Sequence, residues 1–177
     1  LLTALRAVVG PHKNVGYDGL WAVYNKSDVD GNGKYIDIYS TKRWTPGKEK
    51  CGNYKYVGDC VNREHSFPKS WFDDKSPMVS DAFHIYPTDG KVNGQRSNFP
   101  YGECANGTTL PSSNGVQALG KFGTSTFPGY SGKVFEPVDE YKGDLARTYF
   151  YMAAAYNDKI STWSSDMLAG NAYPAYK

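Results

Sequence analysis

Apolar residues at positions 1, 2, 4, 5, 8 and 9 recur with helical spacing, and Gly10-Pro11 ends the pattern. Leu20, Trp21 and Tyr24 share one face of a second helix expected over 17–25. Residues 27–33 read as a turn, and Lys34-Tyr35-Ile36-Asp37-Ile38-Tyr39 alternates as a strand. Between 41 and 59, Pro46, Gly47, Gly52 and Gly58 mark a loop, and a short apolar run over 82–86 closes at Pro87. Thr88 is placed to cap a helix reaching about residue 98, with Asp89 in its first turn. Gly90 and Gly94 make that helix poor on propensity alone, so tertiary contacts or a bound ion must hold it, which marks the segment as a candidate site. A Gly/Ser/Thr loop over about 106–132 leads to a strand at 133–135. The strongest helical pattern runs from 144 to 156, with Asp144 as N-cap and Leu145, Tyr149 and Met152 on one stripe. The mixture of periods predicts an α+β fold, a single mixed domain over residues 1–177 without internal repeats.

Composition sharpens this picture. With 177 residues and 40% apolar content the chain is long enough for one hydrophobic core. Fifteen tyrosines and 19 glycines against three methionines favour ordered turns and loops over a helical bundle. Twenty basic and 18 acidic residues leave a formal charge of +2, so any nucleic-acid groove has to come from local clustering. That balance suits an enzyme that releases its product better than a packaging protein. No run of 18 apolar residues exists, so no membrane-spanning helix is expected. The chain starts at Leu1 without a basic n-region and apolar h-region, so export has to be inferred from other features. Cys51 and Cys60 enclose a loop that a disulfide could staple, while Cys104 is left over, and the odd count leaves the redox compartment open. No CxxC pair points to a zinc ribbon.

Two stretches carry the chemistry: Asn62-Arg63-Glu64-His65-Ser66-Phe67-Pro68-Lys69-Ser70-Trp71, and the run from Phe83-His84-Ile85-Tyr86-Pro87-Thr88-Asp89 through Gly90-Lys91-Val92-Asn93-Gly94-Gln95-Arg96-Ser97-Asn98. Together they resemble the endonuclease I family of exported bacterial nucleases, whose site is a ββα-metal (His-Me) finger. The resemblance extends through Trp21, Asp37-Ile38-Tyr39-Ser40 and Cys51-Gly52-Asn53-Tyr54, and through Phe135-Glu136-Pro137 and Lys142-Gly143-Asp144-Leu145-Ala146-Arg147. It implies a secreted or periplasmic, monomeric, non-specific endonuclease acting on DNA and RNA and leaving 5′-phosphate and 3′-hydroxyl ends. His65 would be the general base, and Glu64 and Asn93 would be oxygen ligands to Mg²⁺, with Ca²⁺ or Mn²⁺ as other candidate ions. Arg63, Arg96 and Arg147 are candidates for phosphate contacts, although an arginine in such a place as often braces the fold through an ion pair. The chain stops at Lys177, short of a further helical, Arg/Asn-rich segment usual in the family, and so reads as truncated at the C-terminus or as a shorter relative.

Several features have plainer readings. Adjacent strand residues point to opposite faces, so Glu64 and His65 cannot both reach one ion from a regular strand and need a strand end or bend. His84, between Phe83 and Ile85, reads as a packed strand histidine. Asp28, Asp30, Asn32 and Gly33 match the start of a calcium loop, but Tyr39 stands where its bidentate glutamate belongs, and a turn is the expectation. The rival functions are a nucleic-acid-binding module without turnover and a calcium-stabilised exported binding protein built on that loop.

Overall fold

The structure is a computed structural model that describes residues 1–168. Helices and short strands mix within it, and the chain divides into two compact units. One comprises Leu1–Leu20, His65–Ile85 and the chain from Gly143 onward; the other comprises Trp21–Glu64 and Tyr86–Lys142. Among the described residues, no helix is long and apolar enough to cross a membrane. The residues from 169 to 177, where no pattern was legible, lie outside the described part.

In the first unit, helix α1 (Leu2–Val9) buries none of its side chains and is tied down by an Arg6 to Asp158 ion pair at 2.7 Å. The core is aromatic: Phe67 meets Trp71, Tyr149 and Trp163 at ring separations of 5.0, 5.3 and 5.4 Å. Such edge and tilted contacts add to the burial of the rings themselves. Asp81 lies buried among polar partners, accepting from Tyr151 Oη at 2.7 Å and Tyr156 Oη at 2.6 Å.

The second unit holds α2 (Leu20–Ser27) from Trp21 onward, where Trp21, Tyr24 and Tyr35 form one ring cluster. Strand β1 is only Tyr35–Ile36, paired antiparallel with β2 (Arg43–Trp44). The strand expected over 34–39 stops there because the Asp37 carboxylate turns back to accept from Tyr39 N at 2.7 Å, an alternative to ladder pairing. Strand β3 (Val61–His65) pairs with β4 (Ile85–Asp89), and β4 runs directly into helix α3 (Gly90–Arg96). The antiparallel sheet β5 (Cys104–Thr108), β6 (Lys121–Ser125) and β7 (Lys133–Glu136) places the end of one strand and the whole of β6 within the segment expected as loop over 106–132, the rest of which lies outside the named strands. Its sequence is too polar and glycine-rich to alternate, yet β6 pairs on both sides and packs Phe122 against Phe135 at 4.8 Å. Helix α4 (Asp139–Ala155) starts five residues earlier than its expected cap, with Asp139 and Glu140 in its first turn, so Asp144 lies inside the helix. The Asp28 to Gly33 segment is a turn in which Asp30 Oδ1 accepts from Asn32 N and Lys34 N.

Candidate functional site

Asp89, rather than Thr88, caps α3: its Oδ1 accepts from Val92 N at 2.9 Å, while Thr88 is fully buried in β4. The other Asp89 oxygen accepts from Gly58 N at 2.6 Å. Asp37, also fully buried, braces the same junction. Its carboxylate accepts from Asp89 N at 2.9 Å, Trp44 Nε1 at 2.8 Å, Ser40 Oγ at 2.6 Å and Tyr39 N at 2.7 Å. Burial pushes the Asp37 carboxyl up to about 7 against the pull of those donors.

The two glycines that weaken α3 have a steric purpose. The Tyr54 ring lies across both, so that a Cβ on Gly90 would fall 2.9 Å from Tyr54 Cδ1 and one on Gly94 only 1.8 Å from Tyr54 Oη. Tyr54 belongs to the loop closed by a Cys51 to Cys60 disulfide, and Gly90 N donates to Cys60 O at 2.9 Å. The stapled loop, the ring and the cap together hold a helix that propensity would not.

Held in this way, α3 presents Asn93 to β3. Asn93 Nδ2 donates to Arg63 O at 3.2 Å, which leaves Oδ1 as the opposite, accepting end of the amide. On β3, Glu64 is buried, and Arg96 Nη1 at 2.6 Å and Tyr39 Oη at 2.7 Å both donate to its Oε1. Burial raises the Glu64 pKa, opposed by the Arg96 charge and by these hydrogen bonds. The donors seen among the described residues all meet Oε1, which leaves Oε2 as the carboxylate oxygen that could serve a hard cation. No group of three or more His, Cys, Asp or Glu side chains that could hold an ion occurs among the described residues. A cation at Glu64 would therefore draw its other ligands from Asn93, water and substrate, a set that suits Mg²⁺.

Arg96, expected at a phosphate, is instead fully buried against Glu64, its Nε donating to Phe99 O at 3.2 Å. A guanidinium so enclosed has no surface to offer a phosphate oxygen. Arg63 is half-buried with its guanidinium 5.3 Å from the Trp21 ring centre. Arg147 is exposed on α4 and pairs with Asp144 one turn away, a contact of little energetic weight.

His65 has a wholly different set of partners, as alternation along a strand requires. Its Nε2 lies 3.0 Å from Val79 O, its ring stacks on Tyr17 at 5.9 Å, and His84 is 5.6 Å away. Since a carbonyl only accepts, Nε2 carries the proton, and in the neutral ring Nδ1 is the basic nitrogen. Burial pushes the His65 pKa down to about 3, so the ring is neutral at every physiological pH. His84 is fully buried, with Nε2 on Met78 O at 2.7 Å, the packed histidine that its flanking residues predict.

Sequence reasoning assigned no role to Tyr39, Asp37 or Tyr101. Tyr39 and Asp37 stood in a motif already singled out, and a carboxylate on the same strand face as Tyr35 was the available signal.

The family model described as Endonuclease I matches residues 1–177. The chain is 31% identical over 159 residues to an extracellular ribonuclease of Bacillus amyloliquefaciens, covering 88% of this chain and 49% of the relative. It is 32% identical over 161 residues to an extracellular ribonuclease of Bacillus subtilis (strain 168), with the same coverage of each chain. An Endonuclease-1 of Buchnera aphidicola subsp. Acyrthosiphon pisum (strain APS) is 36% identical over 84 residues, covering 48% of this chain and 30% of the relative. The chain thus spans about half the length of the Bacillus relatives, 49% in each case.

Proposed function

Because the chain belongs to the endonuclease I family, we propose that it is a metal-dependent endonuclease that hydrolyses DNA and RNA without sequence preference. The observation that supports this reading is the bond from Asn93 Nδ2 on α3 to the carbonyl of Arg63 on β3, the residue before Glu64, which ties the elements that carry the two proposed ligands. The order β3, β4, α3 supports reading this segment as the ββα-metal finger that the family resemblance implies. RNA is included because the Bacillus relatives are named extracellular ribonucleases, and DNA because the family resemblance implies it. The phosphate backbone is common to both polymers and carries no base information.

Glu64 and Asn93 hold Mg²⁺ in this reading, and the bound ion supplies charge stabilisation for the scissile phosphate and the departing 3′ oxygen. His65 accepts the proton of the attacking water at Nδ1. Val79 O takes the Nε2 proton and so sets the tautomer in which Nδ1 is the basic nitrogen. Attack in line places the water and the leaving oxygen on opposite sides of phosphorus. Arg63 and Arg147 are the arginines proposed to meet phosphate oxygens, while Arg96 serves Glu64. The products carry 5′-phosphate and 3′-hydroxyl ends. Export is supported by the Cys51 to Cys60 disulfide and by relatives named extracellular.

The test is cleavage of supercoiled plasmid and of structured RNA with Mg²⁺ or EDTA, comparing the chain with His65→Ala. Cleavage that needs metal and falls by about 10²- to 10⁴-fold in the variant is expected from loss of a general base. Equal cleavage by both proteins would remove His65 from the mechanism.

A further inference from the structure

Glu64 is held unevenly. Arg96 Nη1 and Tyr39 Oη both bond to Oε1, and Tyr101 Oη lies 2.5 Å from Tyr39 Oη and 3.5 Å from Oε1. The single proton of each hydroxyl makes this a relay, with Tyr101 donating to Tyr39 and Tyr39 to the carboxylate. Arg96 is fixed in turn: Nε bonds to Phe99 O, and the guanidinium lies 4.2 Å from the centre of the Tyr101 ring. Tyr39 packs against Phe135 at 5.0 Å, and both Tyr39 and Arg96 are fully buried.

We propose that Arg96, Tyr39 and Tyr101 are positioning residues that fix Glu64 as a one-oxygen ligand, through Oε2, and thereby bias the site toward Mg²⁺ over Ca²⁺. The inference rests on the reading of Glu64 as a metal ligand. A carboxylate that grips an ion with both oxygens must turn Oε1 toward it. Here that motion breaks a charge-assisted bond to a buried guanidinium and strands its charge. The Arg96 charge also sits beside Oε1, so a cation is repelled from that side and met only at Oε2. Ca²⁺ accepts six to eight oxygens in loose geometry and readily takes bidentate carboxylates, whereas Mg²⁺ takes six short ligands and keeps its waters. A single available oxygen costs Ca²⁺ a ligand and costs Mg²⁺ nothing.

The experiment titrates Mg²⁺ and Ca²⁺ separately into the wild-type chain, Tyr39→Phe, Arg96→Lys and Glu64→Ala, with binding read by calorimetry and folding by circular dichroism. Tyr39→Phe keeps the ring packing and removes one donor from Oε1. It should raise the Ca²⁺ affinity relative to Mg²⁺ by about three- to tenfold, the worth of one hydrogen bond. Arg96→Lys, which replaces a two-point anchor by a mobile ammonium, should move the ratio the same way if it folds. A ratio unchanged or lowered in Tyr39→Phe, with Glu64→Ala abolishing binding, overturns the clamp and leaves the ligand reading intact. Unaltered binding of both ions in Glu64→Ala overturns the ligand reading and the clamp with it.

Discussion

Replacing Gly94 by alanine tests the claim that the glycines of α3 exist to seat Tyr54. The added methyl would lie 1.8 Å from Tyr54 Oη, 2.3 Å from Cζ and 2.6 Å from Cε2, so the ring has to move by more than an ångström. It cannot slide toward the start of α3, where Gly90 already meets it closely, and its loop is closed by the Cys51 to Cys60 disulfide. Overpacking of this kind costs about 1–3 kcal/mol. Alanine in place of a helical glycine returns about 1 kcal/mol through the unfolded chain and helix propensity. The net expectation is a destabilisation of about 1 kcal/mol. In a Tyr54→Ala background the obstacle is gone and only the propensity gain remains, so the same substitution should stabilise by about 1 kcal/mol. Urea denaturation of the four proteins measures both values, and their difference is the coupling between ring and methyl. Mg²⁺ titration of the same set reports Asn93, which neighbours Gly94, and should weaken only where the clash is present. Stabilisation by Gly94→Ala in both backgrounds, with coupling under about 0.5 kcal/mol, would refute the steric account.

The other predictions concern acid and reductant. His65 has a folded pKa near 3 against about 6.5 when unfolded, so below that higher value the unfolded chain takes a proton that the folded chain refuses. Its contribution is complete above about pH 6.5 and is lost at up to about 1.4 kcal/mol per pH unit as pH falls toward 3. Asp37, raised to about 7, runs the other way over about pH 4–7, because there the folded chain holds the extra proton. The measurement is therefore the stability difference between wild type and His65→Asn, which should shift against the wild type as pH drops from 7 to 4.5; a constant difference would contradict the buried, neutral ring. Reduction of the Cys51 to Cys60 bond, which spans nine residues, should cost roughly 2–3 kcal/mol, measured by urea denaturation with and without dithiothreitol. Equal midpoints in the two conditions would show that the loop is held without the bond.

Local pattern alone determined a good deal of this protein. The spacing of apolar residues located α1, α2 and α4, though not the starts of α2 and α4, because helical periods are written over a few neighbouring positions while the ends depend on what caps them. The two motifs carry the family resemblance, and through it Glu64, His65 and Asn93 enter as the proposed metal ligands and base. Periodicity failed where tertiary contacts outweigh propensity. Strand β6 has little alternation and is held from both sides, and α3 is a weak helix held by Asp37, Asp89 and the Tyr54 ring. Only the folded chain could decide the state of Glu64. Its partners lie 25, 32 and 37 residues away, and no local spacing records which of them will meet one carboxylate oxygen. The same holds for Arg96, which the motif offers as a phosphate ligand and the structure commits to Glu64: an arginine's role depends on the nearest buried charge, and burial is set by tertiary packing.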